Sequence, residues 1–180
     1  PVQHLLLPTA INTQREAQLG QSTTDVRRCR TSMWQPWSDD PKMPIQWRQI
    51  ALAEAGLSGN NASCIVLLRI YGRQIMIAGD IEARAEAELL RQYAADLTSD
   101  ILIAPHHGSN SSSTAAFLQR VAPSYVLISA GLHNAFGHPR KVVTRRYWQL
   151  GSHWYNTAQH GQIVVTFAPD GDYQVQPFLP

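Results

Sequence analysis

Ser99-Asp100-Ile101-Leu102-Ile103-Ala104-Pro105-His106-His107-Gly108-Ser109 is the stretch on which the fold turns. A short apolar run that ends in Pro and Gly reads as a buried strand entering a turn. Two imidazoles then stand at the C-terminal end of a strand. The glycine beside them lets a ligand approach the backbone. Imidazole is the commonest protein ligand for metals and titrates near neutral pH.

The same pattern lies on either side. Upstream, Gln74-Ile75-Met76-Ile77-Ala78 runs into Gly79-Asp80. Downstream, Tyr125-Val126-Leu127-Ile128-Ser129 runs into Ala130-Gly131, and a short loop reaches Gly137-His138-Pro139. Three apolar runs in series each deliver Asp or His into the following loop. In layered α/β folds such loops are where chemistry collects.

Working outward, residues 63–71 and 73–78 read as two strands around Tyr71-Gly72, a hairpin. Residues 81–95 read as a helix, with Ala85, Leu89, Leu90 and Tyr93 at helical spacing. Ser111-Ser112-Ser113 offers caps for a helix to about Val121. A further helix is expected from Pro139, tolerated in a first turn, to about Leu150. Residues 161–167 and 173–177 read as closing strands. The N-terminal part is less regular: strands at 2–7, 24–30 and 47–53, a polar helix at 10–20, and an irregular stretch over 31–45. The order predicts one α/β domain with mixed sheets. It excludes an all-parallel dinucleotide fold, since no glycine-rich phosphate loop is present.

The chain has 180 residues, 44% of them hydrophobic, which allows one sizeable core. No apolar run is long enough to cross a bilayer, and no signal-peptide pattern is visible. The opening Pro1-Val2-Gln3-His4-Leu5-Leu6-Leu7-Pro8 is already strand-like, which predicts a piece of a longer protein or removal of a short leader. A net charge of +2 and a pI near 8.8 do not by themselves indicate a nucleic-acid partner. The charge is uneven, however. Arg140, Lys141, Arg145 and Arg146 crowd one segment after His138, and Arg27, Arg28 and Arg30 another. Each cluster reads as a solvated face or as a phosphate-binding patch. Cys29 and Cys64 are too far apart for a local zinc clip. They read as buried free thiols or as one disulfide formed in an oxidising compartment.

Several candidate site residues fit two roles. Asp80 is a carboxylate ligand at a strand end or the N-cap of the helix after it. Adjacent side chains diverge, so His106 and His107 predict one metal ligand and one acid/base partner, or a pair that braces the loop. His138, held extended by Pro139, is an aimed ligand or an ordinary helix entry. The serines 109, 112 and 113 read as caps, since no nucleophile elbow appears. His4, His133, His153 and His160 read as structural or surface residues. Asp80, one of the histidine pair and His138 make a mixed oxygen and nitrogen set suited to zinc or manganese. A two-ion hydrolytic site uses about six ligands, and this chain visibly supplies three.

The combination of Asn60-Asn61-Ala62-Ser63-Cys64, Gly79-Asp80, Pro105-His106-His107-Gly108-Ser109, Gly137-His138-Pro139 and Thr157 with Gly161 resembles one family. It looks like the C-terminal metallo-β-lactamase-like domain of ComEC-type competence proteins, the inner-membrane channels of DNA uptake. The resemblance covers about residues 60–168, and residues 10–58 match poorly apart from a cysteine near Cys29. It implies an αββα sandwich, seen here as a single incomplete domain over 1–180. It also implies Asp80 as a bridging carboxylate, His107 or His106 as a ligand and His138 as the last ligand, with Asp80 and His106 serving catalysis. A nuclease or phosphodiesterase role on DNA follows, with Zn or Mn and no small-molecule cofactor. The domain is expected on the periplasmic side of the membrane, beside a membrane-embedded channel domain of the same polypeptide. There the Cys29–Cys64 pair can oxidise. The family's leading His-x-(His/Asp)-x-Asp-His motif is absent from this sequence. The chain alone is therefore expected to bind metal weakly and not to turn over. The alternative is a non-catalytic DNA-binding module that uses Arg140, Lys141, Arg145 and Arg146.

Overall fold

The computed structural model describes residues 2–7, 23–38, 40, 44–52 and 55–178. Strands β1 (Val2–Leu7) and β2 (Thr23–Arg28) pair in parallel as a sheet of their own. The main sheet has seven strands in sequential order: β3 (Gln35–Pro36), β4 (Ile45–Ile50), β5 (Ile65–Ile70), β6 (Arg73–Ile77), β7 (Ile101–Ile103), β8 (Tyr125–Ile128) and β9 (His153–Asn156). Strands β3 to β6 are antiparallel, and β6 to β9 are parallel. The sheet is mixed, as the sequence predicts.

Local chemistry explains the switch from antiparallel to parallel. Between β5 and β6 only Tyr71 and Gly72 intervene, with φ of 47° and 81°. Positive φ at both central residues is what a two-residue hairpin turn demands. From β6 onward each connection is a helix crossing back over the sheet, which parallel neighbours require. These helices are α1 (Ala83–Tyr93), α2 (Ala115–Val121) and α3 (Lys141–Leu150). After β9 come a one-turn helix α4 (Thr157–His160) and the antiparallel hairpin of β10 (Gln162–Phe167) and β11 (Tyr173–Phe178).

Side-chain alternation sorts the central strands between two cores. Met76, Leu102, Val126 and Ile128 face the helices, packed with Leu89, Phe117, Val143 and Tyr147. Ile75, Ile101, Ile103, Tyr125 and Leu127 face the other way, against Val165, Phe167, Tyr173 and Val175 of the hairpin. Helices, main sheet and hairpin therefore stack in that order. Coverage of both faces is why these strands read as continuous apolar runs. Leu102 has no exposure at all. Truncation of such a residue to alanine costs about 2–5 kcal/mol.

The structure departs from the sequence reading in places. Strand β4 lies at Ile45–Ile50, earlier than expected, because its register is set by β5 (Ile45↔Ile70 to Ile50↔Ile65). The stretch taken as irregular contributes β3 to the sheet edge, and Trp34 there carries the Arg69 guanidinium 3.9 Å above its ring. Helix α3 begins at Lys141 with Arg140 as N-cap, so Pro139 stays outside it. The cap of α2 is Thr114, whose side chain accepts from the Phe117 N–H, not one of the three serines. Strand β9 and helix α4 lie in a stretch where the sequence carries no periodic signal. The expected helix at 10–20 lies outside the described residues. Cys29 and Cys64 form a disulfide (Cα–Cα 5.8 Å) that ties the chain after β2 to the entry of β5.

Candidate functional site

Four adjacent parallel strands end on one edge of the sheet. The loop after β6 carries Asp80, that after β7 carries His106 and His107, that after β8 carries His138, and Thr157 follows β9. Parallel order in the sheet thus brings residues distant in sequence to a single rim.

The rim is fixed from beneath by groups the sequence motif contains. Asn61 Oδ1 accepts from the N–H groups of Glu82 (3.1 Å) and Ala85 (3.0 Å), so a side chain from outside α1 caps it. Glu82 holds the N-cap backbone position, and Asp80 caps nothing. Asp80 is released for another role. Ser63 Oγ accepts from the Asp80 N–H, and a Cβ on Gly79 would stand 3.0 Å from that of Ser63. Thr157 Oγ1 donates to the Ala130 carbonyl and accepts from the Ala130 N–H, both at 2.9 Å. This clamp sets the position of the preceding residue, Ser129.

His107 is held by that clamped loop. Its Nδ1 donates to the Ser129 carbonyl at 2.7 Å, an acceptor that fixes the proton on Nδ1. Its Nε2 stands 3.4 Å from Asp80 Oδ1, and both side chains are about half exposed (48% and 45%). A bare Nε2 lone pair and a carboxylate repel at this separation. A proton or a cation between them turns the pair attractive.

His106 turns the other way. Both histidines have left-handed backbone (φ 49° and 55°), and their rings lie 6.4 Å apart at 66°. His106 Nδ1 lies 3.3 Å from both Glu82 Oε1 and Ser111 Oγ. Ser111 Oγ donates to Glu82 Oε1 at 2.9 Å and so accepts the Nδ1–H of His106, leaving Nε2 to accept from Asn60 Nδ2 at 3.4 Å. An imidazole oriented at one nitrogen by a carboxylate acting through a hydroxyl is set up for proton transfer at the other.

His138 closes the rim. Asn134 braces its backbone on both sides, accepting from the His138 N–H at 2.8 Å and donating to its carbonyl at 2.7 Å. Its ring lies 5.8 Å from that of His106 and is stacked on Phe136. Burial, with the neighbouring His106, Arg140 and His107 charges, pushes its pKa below the usual histidine value. Among the described residues its Nδ1 is buried with no hydrogen-bond partner. Such an orphan is a position that a bound ion or water would complete. Gly108 interlocks with this loop: it accepts from the Arg140 N–H at 3.0 Å, and a Cβ there would stand 2.7 Å from Pro139 Cβ.

Asp80, His107 and His138 thus share one rim and fit a cation in donor type. Among the described residues, no three His, Cys, Asp or Glu side chains form a group that holds an ion. The basic cluster divides. Arg140, Lys141 and Arg145 are exposed, whereas Arg146 Nη1 donates to the carbonyls of Ser112 and Ser113 at 3.0 Å each. Arg146 is therefore engaged in bracing the loop after His107.

Sequence reasoning missed Glu86. It is fully buried and accepts from the N–H groups of Ser113 and Thr114 (2.8 Å for the latter). Burial raises its pKa above the ordinary carboxylate value, against those hydrogen bonds and the charge of Arg146. A lone Glu on the apolar stripe of α1, at i+1 from Ala85 and i−3 from Leu89, is the signal in the sequence.

No family model matches the chain. An uncharacterized protein of Escherichia coli K12, YcaI, is 40% identical over 113 residues, covering 63% of this chain and 15% of that protein. Competence protein ComA of Neisseria gonorrhoeae is 31% identical over 122 residues, 67% of this chain and 17% of its own length. ComE operon protein 3 of Bacillus subtilis is 30% identical over 110 residues, 61% and 14%. The chain is homologous to ComEC-type competence proteins. It spans less than a fifth of the length of these relatives. Among the described residues no helix is long and apolar enough to cross a membrane.

Proposed function

We propose that this chain is the metallo-β-lactamase-like domain of a DNA-uptake protein, and that its rim is part of a metal-dependent phosphodiesterase site. The observation that carries the reading is the opposition of His107 Nε2 and Asp80 Oδ1 at 3.4 Å, with the far nitrogen of the ring already tied to Ser129. A metal-binding histidine is oriented in this way by a carbonyl behind it. The relatives named as competence proteins support a role in DNA uptake, and hence DNA as the substrate class of this reading. The stack of helices, mixed sheet and hairpin is compatible with the αββα frame.

Asp80, His107 and His138 would hold zinc or manganese, the metals that suit a mixed carboxylate and imidazole set. When bound, such an ion supplies Lewis acidity and a water acidified for attack. The chain's own part is orientation and proton handling. Ser129 and Thr157 aim His107, and Asn134 aims His138. His106, oriented by Ser111 and through it by Glu82, takes or returns a proton at Nε2. Three ligands fall short of the about six that a two-ion site uses, so the remainder come from elsewhere in the whole protein. That protein belongs in the inner membrane, beside a channel domain of the same polypeptide, with this domain on the periplasmic face. The disulfide accords with that compartment.

The second reading is a DNA-binding module without catalysis. The exposed trio Arg140, Lys141 and Arg145 favours it. The deciding experiment is cleavage of linear DNA by the whole protein with Mn²⁺ or Zn²⁺, beside Asp80→Asn and His107→Ala. Metal-dependent cleavage that both variants abolish is expected. Cleavage that survives in both, or DNA binding with no cleavage under any metal, overturns the hydrolase reading.

A further inference from the structure

Phe136 is a large aromatic residue that the fold leaves in water, 71% exposed, beside the reactive rim. One edge of its surroundings is accounted for: its ring stacks on His138 at 17°, with centroids 5.8 Å apart. The loop that carries it is rigidly braced, because Asn134 Nδ2 donates to the carbonyls of Gly131 (3.0 Å) and His138 (2.7 Å). The phenyl ring is therefore held outward by design of the loop. It forms one wall of an open hollow of about 260 Å³ that also includes His107, Ala130 and His138.

A second hollow, of about 620 Å³, is lined by residues next along the same loop. Gly137, Pro139, Arg140 and Lys141 line it. Both basic residues are exposed, Arg140 caps α3 without using its side chain, and no acidic residue occupies the first turn of that ten-residue helix. The uncancelled positive end of the helix adds to the two cations. An aromatic face at Phe136 and an anion-attracting face at Arg140 and Lys141 thus stand within six residues of one loop that contains His138.

This pairing matches an unpaired nucleotide, which offers an aromatic base and a phosphate together. We propose that Phe136 is a stacking platform for an unpaired base of single-stranded DNA, with Arg140 and Lys141 holding an adjacent phosphate. The inference rests on the reading of the rim as a DNA phosphodiesterase site and narrows its substrate to single strands. In a duplex both faces of each interior base are covered by neighbours, and exposing one costs a few kcal/mol. Asp80 and Glu82 repel phosphate elsewhere on the rim, so the cationic side is the one the backbone follows.

The test uses the whole chain without metal, in EDTA, and a deoxyoligonucleotide carrying 2-aminopurine, whose fluorescence is quenched by stacking. Wild type is expected to quench it. Phe136→Leu is expected to lose the quenching and about tenfold in single-strand affinity, while Phe136→Trp restores both. Binding to a duplex of equal charge is expected to be unchanged by Phe136→Leu. Arg140→Gln with Lys141→Gln is expected to lower the salt slope by about 0.7 per lost contact. Equal single-strand binding by wild type and Phe136→Leu overturns the proposal. So does an equal loss toward single strand and duplex, or tighter binding of a matched RNA. Quenching with no metal-dependent cleavage by the whole protein would remove the nuclease reading and leave the platform standing. Cleavage with no effect of Phe136 on single-strand binding would do the reverse.

Discussion

Nε2 of His107 faces Oδ1 of Asp80 at 3.4 Å. The ring is pinned from behind by its Nδ1–H, which donates to the Ser129 carbonyl, and Ser129 is positioned by the Thr157 clamp on Ala130. Three consecutive parallel strands and the start of a fourth connection are thereby joined through one imidazole. The pair is half exposed, so its geometry is a matter of aim and not of core packing.

That distinction yields the first prediction. Asp80→Asn and His107→Gln should change unfolding free energy by no more than about 0.5 kcal/mol, as surface substitutions do. Affinity for Mn²⁺ should nonetheless fall by about tenfold or more, and Thr157→Val should weaken it through the clamp. Urea unfolding and Mn²⁺ titration followed by electron paramagnetic resonance separate the two effects. A large stability loss in Asp80→Asn would mean that the pair is structural.

Gly108 and Gly72 both have positive φ, 77° and 81°, but differ in surroundings. A Cβ on Gly72 meets nothing within 4 Å, while one on Gly108 would stand 2.7 Å from Pro139 Cβ. Gly72→Ala should cost only the backbone penalty, about 1–2 kcal/mol. Gly108→Ala should cost about 1–3 kcal/mol more, because the prolyl ring must move. That displacement carries His138 with it. Denaturant titration of the two variants gives the difference, and equal costs would refute the interlock.

The disulfide closes a loop of 35 residues. Chain-entropy reasoning puts the loss on replacing both cysteines by alanine at about 3–4 kcal/mol. The bridge also sits next to Ser63, which receives the Asp80 N–H, so its loss should loosen the rim. Thiol titration of the unreduced, unfolded protein should find no reactive cysteine among the two. Two reactive thiols would show that the bridge does not form in solution.

How much of this was legible beforehand follows from the physics of each signal. The strands ending at residues 77, 103 and 128 were visible as apolar runs, because both of their faces are buried. That the loops of Asp80, His107 and His138 share one sheet edge depends on strand polarity, which apolar runs do not carry and which the parallel pairing of β6, β7 and β8 supplies. Strand β9 was not visible: His153-Trp154-Tyr155-Asn156 is an edge strand with exposed and half-buried positions, and its one buried residue is the polar Asn156, so no apolar run marks it. The capping of α1 by Asn61 was hidden because donor and acceptor lie 21 and 24 residues apart. Asp80, nearer in sequence, looked the better cap. Likewise Arg146 belonged by sequence to the cationic cluster, and only its helical position turns it toward Ser112 and Ser113.

Glu86 makes the remaining prediction, and its sign follows from linkage. Its folded pKa is raised above the ordinary value of 4.5, chiefly by burial, so the folded chain holds this proton more tightly than the unfolded one. The stability this contributes is fully present below 4.5 and is lost as pH rises through the folded pKa. The buried carboxyl group is held by the Ser113 and Thr114 N–H groups and lies in the field of the Arg146 charge, with the Tyr147 hydroxyl bonded to Ser113 Oγ at 2.7 Å close by. Glu86→Gln removes the titration and keeps the shape. The stability of wild type relative to Glu86→Gln should therefore rise as pH is lowered from 7 toward 4.5, with other carboxylates cancelling in the difference. Glu86→Ala, which strands two buried N–H groups, should cost about 2–5 kcal/mol. Urea unfolding at several pH values reads both effects. A difference that is flat, or that grows with rising pH, would mean that the carboxylate gains more from its donors than it loses to burial.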